Sequence, residues 1–232
     1  MYGYYYGFDP TYVLVLIGAL LCMWASFHVN SVYNKYSHIR SASGMTGAQV
    51  AQRILDQNNV RGVRVEHVSG NLTDHYDPRT QTVNLSDAVY GSTSVAALGV
   101  AAHECGHVMQ HETGYVPLKL RTALVPAANL GSQIGLPLVI IGLIFGLSNT
   151  FIAIGIWIFA LAVLFQIVTL PVEFNASHRA LVMLEQYGIL GTDEVASSRK
   201  VLGAAAMTYV AAAASAVLQL LRLIMLGRRR DD

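Results

Sequence analysis

The apolar positions of this chain gather into four long blocks separated by polar stretches. Residues 12–29 are apolar apart from Ser26 and His28 near their end. Residues 122–147 form a longer block that carries Pro126 and Pro137. Residues 151–170 are almost wholly apolar, and residues 204–226 are rich in Ala, then in Leu, with Arg222 near their end. Each block is close to the ~20 residues that take an α-helix across a bilayer. Transmembrane helices are therefore expected at about 12–29, 122–147, 151–171 and 204–226. Four spans put both termini on one side of the membrane and residues 30–121 and 172–203 on the other. Only Ser148, Asn149 and Thr150 separate the second span from the third, so these two form a tight hairpin.

The polar stretches follow shorter periods. After a loop that starts at Ser41, the positions Ala48, Val50, Ala51, Ile54 and Leu55 make a helical stripe, with Thr46 placed to cap it. Residues 63–68 alternate as a strand does. Residues 72–76 and 82–85 flank Asp77-Pro78-Arg79-Thr80, a turn sequence, and predict a hairpin. A helix is expected from Ser94 onward. A small sheet beside that helix either offers an edge strand to an extended peptide or only covers the helix.

Composition agrees with a bilayer protein. The 232 residues are 53% hydrophobic and 12% charged, where a soluble domain carries about 25% charge; the mean hydropathy is +0.44. A net charge of +1 gives no basic surface for nucleic acid. The first apolar block lacks the basic region and the small-residue cleavage site of a signal peptide. The Tyr-rich start at residues 2–8 suits an anchor at the headgroup level. Two cysteines give no disulfide framework: Cys22 lies in an apolar block and Cys105 is expected to be a small packing residue.

The chemistry is concentrated in His103-Glu104-Cys105-Gly106-His107. On a helix, residues four apart share a face, so the two imidazoles are able to grip one metal ion. Glu104 lies on the adjacent flank, where a carboxylate serves as general base. A catalytic zinc needs a third protein ligand. The candidates are His111, Glu112, Glu173 and His178. His111 lies two turns beyond His103, about 12 Å along an unbroken helix, and Glu112 has the same problem of reach. Gln110 and Thr113 depart from the metzincin pattern. Glu173 follows Pro171, is expected to begin a helix over residues 173–187, and is returned toward the motif by the hairpin.

At these residues the chain resembles the bacterial YugP-like neutral zinc metallopeptidases. The resemblance rests on the 103–107 motif, on Leu72-Thr73-Asp74-His75-Tyr76-Asp77-Pro78-Arg79 and on Pro171-Val172-Glu173-Phe174-Asn175-Ala176-Ser177, and it covers nearly the whole chain. More distantly the arrangement is similar to membrane gluzincins of the HtpX and CAAX prenyl protease type, in which a Glu followed four residues later by Asp supplies the third ligand. Here that Asp position is Ser177. The resemblance implies Zn2+ held by His103, His107 and Glu173, with Glu104 as general base, acting on protein or peptide substrates. Candidates to stabilise the oxyanion are His75, Tyr76, Tyr209 and, before these, His178 and Arg179.

The expected fold is a mainly α integral membrane protein: about four transmembrane helices and a small α+β, zincin-like metallopeptidase portion at the membrane surface, in one domain over residues 1–232. The expected function is that of a multi-pass zinc endopeptidase of the cell membrane, with membrane protein quality control as a fitting role. Basic residues Lys35, Arg40, Lys119, Arg121, Arg179, Arg199 and Lys200 favour a cytoplasmic catalytic side, against the triplet Arg228, Arg229 and Arg230. Two rivals remain. An intramembrane-cleaving protease would need its motif inside a span, but the apolar run at 95–102 is short and leads into polar residues. A zinc-stabilised, non-catalytic scaffold or adaptor would have no use for Glu104.

Overall fold

A computed structural model describes residues 9–228; the aromatic start, Arg229 and Arg230 lie outside the described residues. The elements run α1 (Tyr12–Ser37), α2 (Gly47–Gln57), β1 (Arg64–Val68), β2 (His75–Asp77), β3 (Thr82–Ser86), α3 (Val95–Glu112), α4 (Val116–Leu130), a π turn (Gly131–Gly135), α5 (Leu136–Ile144), α6 (Asn149–Gln186) and α7 (Thr192–Arg228). The described residues are mainly helical with one small mixed sheet. Among them, four helical stretches are long and apolar enough to cross a membrane: Tyr12–Ser37, Val116–Ile144, Asn149–Gln186 and Thr192–Arg228. The four apolar blocks fall one on each.

Proline does less to the helices than their sequence suggests. Pro171 does not start a new helix, because α6 runs through it as a single 38-residue element. A proline withholds one N–H from the carbonyl four residues back, and the remaining hydrogen bonds of so long a helix carry it past that loss. Pro126 likewise lies inside α4. The interruption comes at Gly131–Gly135, just ahead of Pro137 in the first turn of α5. Here the missing N–H and the crowding ring favour a wider turn.

The chain divides into two compact units. One holds the described parts of Met1–Trp24, Ala123–Ile167 and Val210–Asp232. Its helices meet through small residues, as expected where both lipid and neighbour are apolar. A Cβ at Gly131 would lie 2.6 Å from the Ile158 carbonyl oxygen, and one at Gly135 2.7 Å from the Phe159 nitrogen. This Gly-x-x-x-Gly spacing lets the π turn lie against the α6 backbone. Arg222 stacks over the Tyr12 ring at 4.2 Å, a cation–π contact that gives a guanidinium in an apolar helix a partner.

The other unit holds Ala25–Thr122 and Val168–Tyr209. In its sheet β3 lies between β1, to which it is parallel, and β2, to which it is antiparallel. The predicted hairpin is therefore present, and the central strand is buried along its whole length. The cap predicted at Thr46 forms a full capping box with Gln49. The stripe Val50, Ala51, Ile54 and Leu55 is fully buried in a core shared with Val83, Leu85, Leu98 and Cys105. Helix α3 starts at Ser94, whose Oγ accepts from the Ala97 N–H at 3.2 Å. It approaches two neighbours closely. A Cβ at Gly99 would sit 3.3 Å from Ser198 of α7, whose hydroxyl donates to the Val95 carbonyl at 2.8 Å. A Cβ at Gly106 would collide with the Ala176 carbonyl oxygen of α6 and lie 3.1 Å from the Ala176 Cα.

Gly106→Ala is therefore expected to destabilise the protein by about 1–3 kcal/mol through overpacking against rigid backbone. Gly203→Ala, on α7 in open space, is expected to be neutral or to stabilise by up to ~1 kcal/mol through helix propensity. Thermal unfolding of the detergent-solubilised protein compares the two; equal melting points would contradict the close approach.

Candidate metal centre

Two helix faces make the site. On α3, Gly99, His103, Gly106, His107 and Gln110 recur at steps of three and four residues, and so form one stripe. On α6, Glu173, Ala176, Ser177 and Ala180 do the same. The Gly106–Ala176 contact brings these stripes together, and the polar members meet around it. His103 Nε2 lies 3.4 Å and His107 Nε2 3.7 Å from Glu173 Oε2. The imidazoles stand nearly perpendicular, with ring centroids 4.8 Å apart.

Each of the three side chains is held from behind. Ser177 Oγ lies 3.1 Å from His103 Nδ1. The buried Gln110 settles the state of His107. Its Nε2 donates to the Val172 carbonyl at 2.7 Å and to Asn175 Oδ1 at 3.1 Å. Its Oε1 therefore faces His107 Nδ1 at 3.0 Å. An amide oxygen only accepts, so Nδ1 carries the proton and the Nε2 lone pair points at Glu173. Asn175 Oδ1 also accepts from Arg179 Nε at 2.9 Å. Glu173 Oε1 lies 3.7 Å from Arg121 Nη1, which leaves Oε2 for the histidines.

These residues fit a divalent metal ion. Glu173 is 3% exposed, and its buried Oε2 makes no hydrogen bond. An orphaned carboxylate oxygen of that kind is costly unless a cation takes it up. One ligand atom from each of His103, His107 and Glu173 lies within 4.8 Å of the others. Tetrahedral zinc with bonds of ~2.0–2.1 Å keeps its ligands about 3.3 Å apart, close to the two His–Glu separations. The local field also favours positive charge. Burial works against protonating His107, but the adjoining Glu173 carboxylate, the charge of Glu104 and the Gln110 contact outweigh that and hold its pKa above the ordinary value.

Glu104 is buried and lines the same cavity as His103, Glu173, Ser177 and Tyr209. Cys105 points away: it is fully buried, its Sγ approaches the Ala51 carbonyl at 3.7 Å, and burial followed by the Glu104 charge pushes its thiol pKa far up. A thiol held neutral is a packing residue, as its place between the histidines suggests. His111 instead meets the Tyr76 hydroxyl at 3.3 Å. Arg179, favoured with His178 for the oxyanion, is committed to Asn175 and lies over the Tyr115 ring. Tyr209 lines the cavity, and these two do not. Gln110 and Arg121 are site residues that sequence reasoning missed. Gln110 continues the motif's helical face by one more turn and is legible as such; nothing in the spacing of Arg121 marks it.

The chain was compared with known proteins. A family model described as "Putative neutral zinc metallopeptidase" matches residues 11–228. The chain is 45% identical over 216 residues to the protein named "Putative membrane protease YugP" of Bacillus subtilis (strain 168), covering 93% of this chain and 96% of that one. No solved structure matches. The chain therefore belongs to the neutral zinc metallopeptidase family that this model describes.

Proposed function

We propose that this protein is a membrane-embedded zinc endopeptidase, with His103, His107 and Glu173 as metal ligands and Glu104 as general base. The observation that carries the proposal is the buried, unbonded Glu173 Oε2 facing two histidine Nε2 atoms, with Glu104 in the same cavity. Four candidate spans and the similarity to a protein named a membrane protease support the location. Lys35, Arg40, Lys119, Arg199 and Lys200 support a cytoplasmic face for the catalytic portion. Protein substrates at the bilayer, and a part in membrane protein quality control, suit that place.

Zinc, when bound, supplies Lewis acidity that polarises a peptide carbonyl and acidifies water. The chain's own groups do the rest. Gln110 and Ser177 orient the imidazoles, so that both Nε2 atoms face the same point. Arg121 holds one oxygen of Glu173 and so directs the other. The Glu104 carboxylate takes a proton from the attacking water and gives it to the departing amine nitrogen. Tyr209, which lines the cavity, is the candidate donor for the carbonyl oxygen as it becomes negative.

Glu104→Gln is expected to keep stoichiometric zinc while cleavage of an unfolded substrate falls by ~10²–10⁴-fold. Cells carrying this variant are expected to accumulate uncleaved membrane proteins, seen by proteomic comparison with wild type. Unchanged cleavage in Glu104→Gln would make a catalytic role for Glu104 untenable, and a zinc-loaded wild type that cleaves nothing would favour a scaffold.

The ligand set has its own test. Glu173→Ala is expected to abolish stoichiometric zinc binding. Gln110→Leu, which removes only the partner of His107, is expected to weaken zinc by about 10–100-fold. Competition with a chromophoric chelator measures both. Full zinc affinity in Glu173→Ala would exclude that residue as a ligand.

A further inference from the structure

The cavity at the metal centre has a second character beside its polar one. Its volume is about 140 Å³. Away from the histidines and carboxylates it is walled by Val100 of α3, by Leu202, Ala205 and Ala206 of α7, and by Leu72 from the loop before β2. Val100 lies one turn before His103 and Glu104, so the apolar wall continues directly from the catalytic face. On α7, residues 202, 205, 206 and 209 recur at helical spacing and form one stripe along the cavity. The stripe carries Leu at one end and Tyr209 at the other, with two alanines between them. Those alanines leave the room.

We infer that this apolar wall is the subsite for one substrate side chain next to the scissile bond, that it takes an uncharged aliphatic or phenyl group, and that Ala205 and Ala206 limit the size accepted. The inference rests on the peptidase reading above. Size is bounded by the volume: an apolar cavity of ~150 Å³ holds one benzene, and the 140 Å³ here is shared with the metal centre, so a side chain of Leu or Phe is the upper limit. Charge is excluded by the walls. No Lys or Arg lines the cavity, so an acidic side chain at the apolar wall would meet no cationic side chain there. Of the three carboxylates a basic one would meet, Asp74 accepts from the Ser86 N–H at 2.8 Å and from its hydroxyl at 2.9 Å, Glu173 faces the histidines and Arg121, and Glu104 is held for the attacking water on the peptidase reading.

Leu72 points to the same kind of occupant. It is 46% exposed although apolar, and its backbone sits at φ 57° in the left-handed region, which a branched side chain enters only at a cost. The surrounding loop is tied down on both sides of it. Asp87 accepts from the Gly70 N–H at 2.8 Å, and Asp74 is bound to Ser86. The loop thus holds an exposed Leu at the cavity, where an apolar side chain entering from the substrate would cover it.

Two readouts on the zinc-loaded full chain in detergent test this. The first is binding of N-acetylated amino-acid hydroxamates, which needs no catalysis. Wild type is expected to bind the Leu and Phe hydroxamates about tenfold or more tightly than the Gly one, and to show no such gain for Asp or Lys. In Ala206→Leu, and independently in Ala205→Leu, this Leu-to-Gly preference is expected to collapse while zinc content stays stoichiometric. The second readout is cleavage of a peptide library varied on both sides of the scissile bond, where wild type is expected to favour Leu, Met or Phe on one side. A wild type without apolar preference in either assay, or variants that keep the preference, overturns the subsite. Hydroxamate preference without any peptide cleavage leaves an apolar side-chain binding site standing and sinks the peptidase reading.

Discussion

The site depends on one backbone contact, between Gly106 of α3 and Ala176 of α6. A histidine pair at i and i+4 on a helix is only two ligands, and a third must come from another element at ligand distance. Side chains of ordinary size would hold two helices 8–10 Å apart. A glycine where the helices cross lets the neighbouring carbonyl fill the place of a Cβ, and Glu173, three residues before Ala176, then reaches both imidazoles. The partners follow from the same contact. Ser177 comes under His103, and Val172 and Asn175 come under Gln110. Ligand and support thus arise from consecutive positions of two helical stripes.

That geometry concentrates negative charge in a buried place. Glu104 is 7% and Glu173 3% exposed, and two carboxylates so enclosed are costly unless positive charge meets them. Arg121 meets one oxygen of Glu173. The carboxylates beside His107 raise its pKa above the ordinary value in spite of burial, in keeping with a place for a cation. A divalent ion bound by two neutral imidazoles and one carboxylate would balance Glu104 as well, and would leave that carboxylate free to move a proton. On the subsite proposed above, a substrate side chain against the cavity's apolar wall would exclude water from the carboxylates and strengthen every charge interaction around them.

Much of this was legible in the chain. The four apolar blocks, the capped helix at Thr46, the hairpin around Asp77-Pro78 and the helix from Ser94 each follow from local patterns that need no tertiary information. The group of His103, His107 and Glu173 was reachable because a motif at i, i+4 restricts what a third partner must do. Three things were not reachable from local pattern. Proline was given too much weight at 171, since a long apolar helix tolerates the loss of one hydrogen bond. Pro137 favours a wider turn ahead of it, but the packing of Gly131 and Gly135 on α6 is a tertiary demand that the proline does not reveal. Arg121 shows the limit most plainly: a basic residue beside an apolar block reads as a topology marker, and only the fold turns it toward Glu173.

The replacement of an expected Asp by Ser177 has a physical consequence for the whole centre. A carboxylate behind a ligating histidine raises its basicity and adds charge. Here both imidazoles are oriented by neutral groups, a hydroxyl behind His103 and an amide oxygen behind His107. Direction is kept and charge is withheld. With zinc bound, Arg121 present and three carboxylates lining the cavity, further anionic support would not be needed for neutrality and would weaken the ion's pull on a substrate carbonyl. Neutral orienters would leave a bound cation less quenched, which would suit the polarising role proposed for it. The Gln110 amide adds rigidity that a carboxylate would not, because its nitrogen is bound to the Val172 carbonyl and to Asn175 on the helix that supplies Glu173. His107 and Glu173 are thereby fixed to one another before any metal or substrate arrives, so the ordering that a loose site would require at binding has already been met in folding.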